Sequence, residues 1–127
     1  MHKSRLAGFC IDCKTEDLQG AAQFWAQALG YALKPASTEP HEAGYRQFAT
    51  GASDVQIEVQ KVEHPSRVHL DIETDDIEAE VARLEQLGAT RVAWVHSWWV
   101  MQAPSGQRFC VVRPQRADFA ANARRWD

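Results

Sequence analysis

The chain has 127 residues, 14 Lys and Arg against 17 Asp and Glu, and a net charge of −3. This length suits one domain that buries roughly two thirds of its unfolded surface, so a core forms without disulfide staples. The acidic balance excludes the basic footprint of a nucleic-acid binder, and no apolar run is long enough to span a bilayer.

Three cysteines, an odd number, and the lack of an apolar leader before Arg5 predict a cytoplasmic protein with no structural disulfide. Met1 to Arg5 reads as a short polar lead with His2 in solvent. A strand follows over about Leu6 to Cys13, where Phe9, Ile11 and Cys13 alternate with Cys10 and Asp12. Cys10 and Cys13 have CxxC spacing, but positions three apart on a strand point to opposite faces, which disfavours a redox or zinc pair. Leu18, Ala21, Ala22, Trp25 and Leu29 then predict a core-facing helix over about Asp17 to Leu29, with Phe24 and Trp25 supplying most of its buried surface. Gly30 closes it.

Tyr31 to Leu33 reads as a short strand, and Lys34 to Gly44, with two prolines, as a long loop. Strands over Tyr45 to Thr50 and Val55 to Val62 enclose a hairpin turn at Gly51 to Asp54. After Pro65, the segment from Arg67 to Gly88 repeats the opening unit. Val68, Leu70 and Ile72 alternate with His69, Asp71 and Glu73; Asp75 reads as an N-cap with Glu78 completing a capping box; Ile77, Val81, Leu84 and Leu87 form a helical stripe closed by Gly88. Leu29-Gly30 and Leu87-Gly88 lie 58 residues apart, so one supersecondary unit is used twice. Strands over Thr90 to Trp94, Trp98 to Ala103 and Gln107 to Arg113 complete the second unit, with a turn at Ala103 to Gly106. The tail, Pro114 to Asp127, predicts a short helix that pins Phe119 and Trp126 to the body.

Alternation divides the strand residues between two faces. If Phe9, Ile11, Val55, Ile57, Val59, Leu70, Ile72, Phe109 and Val111 face the helices, then Cys10, Asp12, Gln56, Glu58, Gln60, His69, Asp71, Arg108 and Cys110 face the other way. A face holding imidazole, carboxylate, guanidinium and thiol groups is either solvated or the wall of a polar pocket.

The doubled strand-helix-Leu-Gly-three-strand order, HLDIETDDIEAEVARLEQLGA and the APSGQRFCVV ending resemble the vicinal oxygen chelate superfamily, in particular its small glyoxalase-like and bleomycin-resistance-like members. The resemblance covers nearly the whole chain. It implies an α+β fold of two tandem βαβββ modules forming a cupped mixed sheet with helices on the outside. The modules fall at about residues 5–62 and 67–113 of a single domain, followed by the tail 114–127. In metal-dependent members, His, Gln or Glu on the first strand of each module and Glu on the last strand hold the metal. Here those positions carry Cys10, His69, Glu58 and Cys110, so the usual site for a hard divalent metal is not reproduced. Two thiolates, an imidazole and a carboxylate leave open only a zinc-like divalent site.

The favoured expectation is therefore a metal-independent, homodimeric small-molecule binding protein or enzyme with no cofactor. His69 and Glu58 are its acid-base candidates, and Cys10, Asp12, Gln56, Arg108, Cys110, Phe48, Trp98 and Trp99 line its ligand pocket. Flat rings suit a planar or cationic ligand, although Trp98 and Trp99 must point to opposite faces. The alternatives are a metal-dependent lyase, isomerase or dioxygenase using Glu58 and His69, and a non-catalytic regulatory or interaction module.

Overall fold

The computed structural model describes residues 1–127, which divide into two compact units: residues 9–68, and residues 1–8 with 69–127. Between them they contain eight strands and three α-helices, a mixed α+β architecture. The strand β1, His2–Lys14, contributes its first residues to one unit and its last to the other. No helix is long and apolar enough to cross a membrane.

In residues 9–68, helix α1 (Leu18–Leu29) starts where Asp17 accepts the Gly20 backbone N–H at 2.9 Å. It stops at Gly30, whose φ of 79° is the left-handed conformation that favours glycine. Strands β2 (Tyr45–Gln47) and β3 (Gln56–Val62) pair antiparallel, and β3 lies beside β1. Ile11, Ile57 and Val59 pack with Ala22 and Ala26 of α1 and with Phe48. The small alanines let the helix approach the sheet closely. Phe24, expected to carry much of that burial, is 61% exposed and edges onto the half-buried Trp25. Tyr31 to Leu33 does not form a strand: Leu33 makes one isolated bridge with Phe48. β2 is also shorter than its sequence pattern, because beyond it the chain changes partners, with Lys34 N–H donating to Gln47 O and Ala49 N–H to Ala32 O. Pro40–Glu42 forms a single 3-10 turn within the long loop.

In the other unit, β4 (Arg67–Thr74), β5 (Thr90–Val95), β6 (Trp98–Gln102) and β7 (Arg108–Val112) lie in the order β1-β4-β7-β6-β5. β4 and β7 are parallel, with Leu70, Asp71 and Ile72 opposite Phe109, Cys110 and Val111. Helix α2 (Ile77–Gln86) covers a core of Val81, Leu84, Ala89, Met101 and Val111. Its N-cap is Asp76, which accepts the Ala79 N–H at 3.0 Å, one residue later than the capping-box pattern placed it. Asp75 instead accepts the Lys3 backbone N–H at 2.8 Å and so ties β1 to the end of β4. Gly88, with φ at 103°, ends the helical stripe as expected. The turn before β7 closes through Gly106 N–H to Ala103 O at 2.9 Å.

The first residues are not a solvated lead. His2 and Ser4 are buried because β8 (Arg124–Trp126) pairs antiparallel with them, His2 opposite Trp126 and Ser4 opposite Arg124. The tail therefore holds a helix of only four residues, α3 (Phe119–Asn122), followed by a strand. Phe119 is buried as expected, but Trp126 is held by sheet pairing, an indole N–H bond to Ser4 Oγ at 2.8 Å and the Arg83 guanidinium stacked 3.8 Å from its ring. Under it, Glu80 is fully buried, accepting from Arg83 Nε and Nη2 and lying 2.8 Å from His2 Nε2.

A second buried carboxylate, Glu73, joins three segments. It accepts bonds from Arg5 Nε at 2.8 Å, Arg116 Nε at 3.1 Å and the Gln115 backbone N–H at 2.6 Å. Burial pushes the Glu73 carboxyl up, but these donors outweigh it and hold the group below the usual carboxylate range. Its folded-state value lies below its unfolded one, so the stabilisation is complete above about pH 4.3 and is lost as pH falls below that value. Glu73→Gln leaves two arginines facing a neutral amide and should cost roughly 3 kcal/mol, lowering Tm at pH 7 by on the order of 10 °C. Thermal unfolding followed by circular dichroism should also show a flatter acid dependence in the variant. Equal acid slopes in variant and wild type would refute this role.

Candidate functional site

Strand alternation and the parallel register together build the polar face of residues 69–112. Ile72, Phe109 and Val111 pack toward α2, so His69, Asp71, Arg108 and Cys110 point to the opposite face. Because Asp71 stands opposite Cys110, donor atoms of His69, Asp71 and Cys110 come within 4.8 Å of one another. His69 Nε2 lies 3.4 Å from Asp71 Oδ1, with the two side chains 13% and 21% exposed. Partial cover leaves the imidazole reachable, with the Asp71 carboxylate beside it. Arg108 Nε donates to Gln102 Oε1 at 2.9 Å, which sets the guanidinium on the same face.

The tandem tryptophans separate as alternation requires. Trp99 stands opposite Val111 and packs with the α2 core, donating its indole N–H to Glu78 Oε2 at 3.1 Å beneath the Arg91 guanidinium. It therefore lies on the helix side, away from the face that bears His69, and cannot line a pocket there. Trp98 lies on the His69 face. Phe48 is likewise displaced from the expected pocket: it is buried in the helix-side core of residues 9–68, stacked on Tyr31.

The polar face of residues 9–68 carries the other expected groups. Cys10 is fully buried, its thiol 3.9 Å from Gln60 Oε1, and Gln60 Nε2 donates to the Tyr45 hydroxyl at 2.8 Å. Asp12 is buried with a carboxylate oxygen 3.9 Å from Arg67 Nε. Gln56 and Glu58 are half-buried on β3, Glu58 opposite Gln47. Asp71, which the sequence places on the polar face without a role, is the residue that completes the His69 cluster. The signal for it was the His-x-Asp-x-Glu row of β4, whose third member is the structural Glu73.

The donor chemistry can be tested against the metal site that the superfamily resemblance implies. Cys10 and Glu58 stand at two of its four positions in residues 9–68, and His69 and Cys110 at the other two in the second unit. Two of the four are thiols, one of them the fully buried Cys10 bonded toward an amide oxygen. A hard cation that prefers carboxylate and imidazole does not fit that set.

Two solved structures are similar in fold: a hypothetical protein from Bacillus halodurans C-125, with 15% identity, TM-score 0.56 and coverage of 88% of this chain and 96% of that one; and a glyoxalase/bleomycin resistance protein/dioxygenase superfamily member from Vibrio splendidus 12B01, with 19% identity, TM-score 0.51 and coverage of 85% and 97%. Residues 8–112 match the model of the glyoxalase-like domain family, and the chain belongs to that family, within the vicinal oxygen chelate superfamily. No curated protein matches the sequence.

Thiol reactivity offers a direct check on these faces. Burial, and after it the Asp12 charge, push the Cys13 thiol up, so its thiolate is scarce at neutral pH. Iodoacetamide labelling read by mass spectrometry should find Cys13 slower than a free thiol at pH 7.5. Asp12→Asn should speed it by less than denaturation does, since burial is the larger cause. Labelling of Cys13 at the free-thiol rate would contradict the placement.

Proposed function

We propose that the protein binds a small organic molecule against the polar sheet face of residues 69–112, with His69 as the contact that exchanges a proton with it. The observation that carries this reading is the His69 imidazole held 3.4 Å from Asp71 on a half-covered face. An imidazole beside a carboxylate and reachable from one side is suited to general acid-base work or to recognition of an acidic or hydroxyl group. Arg108 adds a positive charge and Trp98 a flat ring for a planar ligand. Membership of the glyoxalase-like family supports a site on this face. In residues 9–68, Glu58 is the corresponding acid-base candidate, with Cys10, Asp12 and Gln56 on the same face. The resemblance further supports a homodimer as the working form.

A panel of planar aromatic acids and cations screened by tryptophan fluorescence should yield a ligand whose signal depends on Trp98. Its Kd should rise at least about tenfold in His69→Ala, since losing a charged or bidentate hydrogen bond costs about 1.5–3 kcal/mol. Trp98→Phe should remove most of the fluorescence change and Trp99→Phe should leave it. Unchanged affinity in folded His69→Ala would remove His69 from the site.

A further inference from the structure

We infer that His69, Asp71 and Cys110 form a three-donor site for a borderline-soft divalent cation, Zn2+, held entirely within the second unit and different in composition from the superfamily's usual site. The inference goes beyond ligand binding on that face and does not require it; the proton exchange proposed for His69 belongs to the metal-free form, because a bound cation occupies the ring nitrogen that faces Asp71.

Three observations converge. The donor atoms of the three residues lie within 4.8 Å of one another, and the His69–Asp71 pair is already 3.4 Å apart. Bonds of about 2.0–2.2 Å to nitrogen and oxygen in a tetrahedron put neighbouring donors about 3.4 Å apart, so this pair is spaced for a shared metal. The set is one imidazole, one carboxylate and one thiol, which suits Zn2+ and disfavours Mg2+ or Ca2+, cations that take oxygen donors. All three side chains stand on paired strands, His69 and Asp71 on β4 and Cys110 on β7, and the register Asp71 opposite Cys110 is set by backbone hydrogen bonds. Rigid strands keep the donors from dispersing when no metal is bound. Arg108, two residues before Cys110 on β7, donates its Nε–H to Gln102 Oε1. Three protein ligands leave a fourth position for water or a ligand atom.

Asp71 distinguishes this site from the superfamily pattern, in which neither it nor its position takes part. Glu58, which the pattern requires, is not needed here.

The test uses the untagged full chain, stripped with a chelator and titrated with Zn2+ alone by calorimetry, and then loaded with Co2+ for absorption spectroscopy. Wild type should bind one equivalent of Zn2+. His69→Ala, Asp71→Asn and Cys110→Ser should each weaken binding by at least about tenfold, with the fold checked by circular dichroism. Glu58→Gln should stay within about twofold of wild type on the same scale. The Co2+ form should show a thiolate-to-metal charge-transfer band that disappears in Cys110→Ser and persists in Cys10→Ala. Absence of Zn2+ binding in wild type overturns the inference while leaving the ligand screen intact. Loss of binding in Glu58→Gln, or a band that follows Cys10, overturns it in favour of the superfamily's donor positions.

Discussion

The parallel ladder between β4 and β7 is the constraint on which the second unit depends. Side chains alternate with period two, so the register that sets Ile72 opposite Val111 under α2 also sets Asp71 opposite Cys110 on the reverse face. A slip of one residue would send Ile72 and Val111 away from Met101, Val81 and Leu84 and bring charged groups under the helix. Apolar burial thus fixes the position of the polar cluster, although no apolar atom belongs to it. The same coupling holds in residues 9–68, where Ile11, Ile57 and Val59 face α1 and leave Cys10, Asp12, Gln56 and Glu58 on the other side.

Two buried carboxylates hold the chain ends against this framework. Glu73 binds Arg5, Arg116 and the backbone of Gln115, and Glu80 binds His2 and Arg83. Burial pushes the Glu80 carboxyl up, but Arg83, His2 and Ser4 outweigh it and keep it below its usual range, as the donors around Glu73 do there. Buried ion pairs stabilise little relative to apolar packing, but they penalise any arrangement that separates them. Here they tie His2 of β1 to α2, and Arg5 of β1 and the start of the tail at Gln115 and Arg116 to β4. Along β4 one row of polar side chains serves two purposes: Glu73 is structural, while His69 and Asp71 form the cluster with Cys110.

The glyoxalase-like family supplies the scaffold, and the donor set is this chain's own. Cys10 and Cys110 stand where the resemblance implies hard donors, and the two thiols lie in different surroundings. Cys10 is fully buried beside Gln60, whereas Cys110 is half-buried beside His69 and Asp71. Replacing a carboxylate by a thiol changes which cation a site prefers before any geometry changes.

Local patterns along the chain determined the repeat, the two long helices with their glycine stops, the alternation of β1, β3, β4 and β7, and hence the list of residues on each sheet face. These rest on periodicity and backbone conformation, which act between near neighbours in sequence and are therefore written in it. The cap at Asp76 rather than Asp75, the burial of His2, the strand rather than helix at Arg124–Trp126, and the exposure of Phe24 were decided by partners up to 124 residues away, for which a local pattern holds no signal. The same is true of the site. Alternation placed His69, Asp71 and Cys110 on one face, but only the parallel register of two strands separated by a helix and two further strands brought their donor atoms together. Packing within each unit also sent Phe48 and Trp99 to the helix side, because the apolar surfaces of α1 and α2 had to be covered.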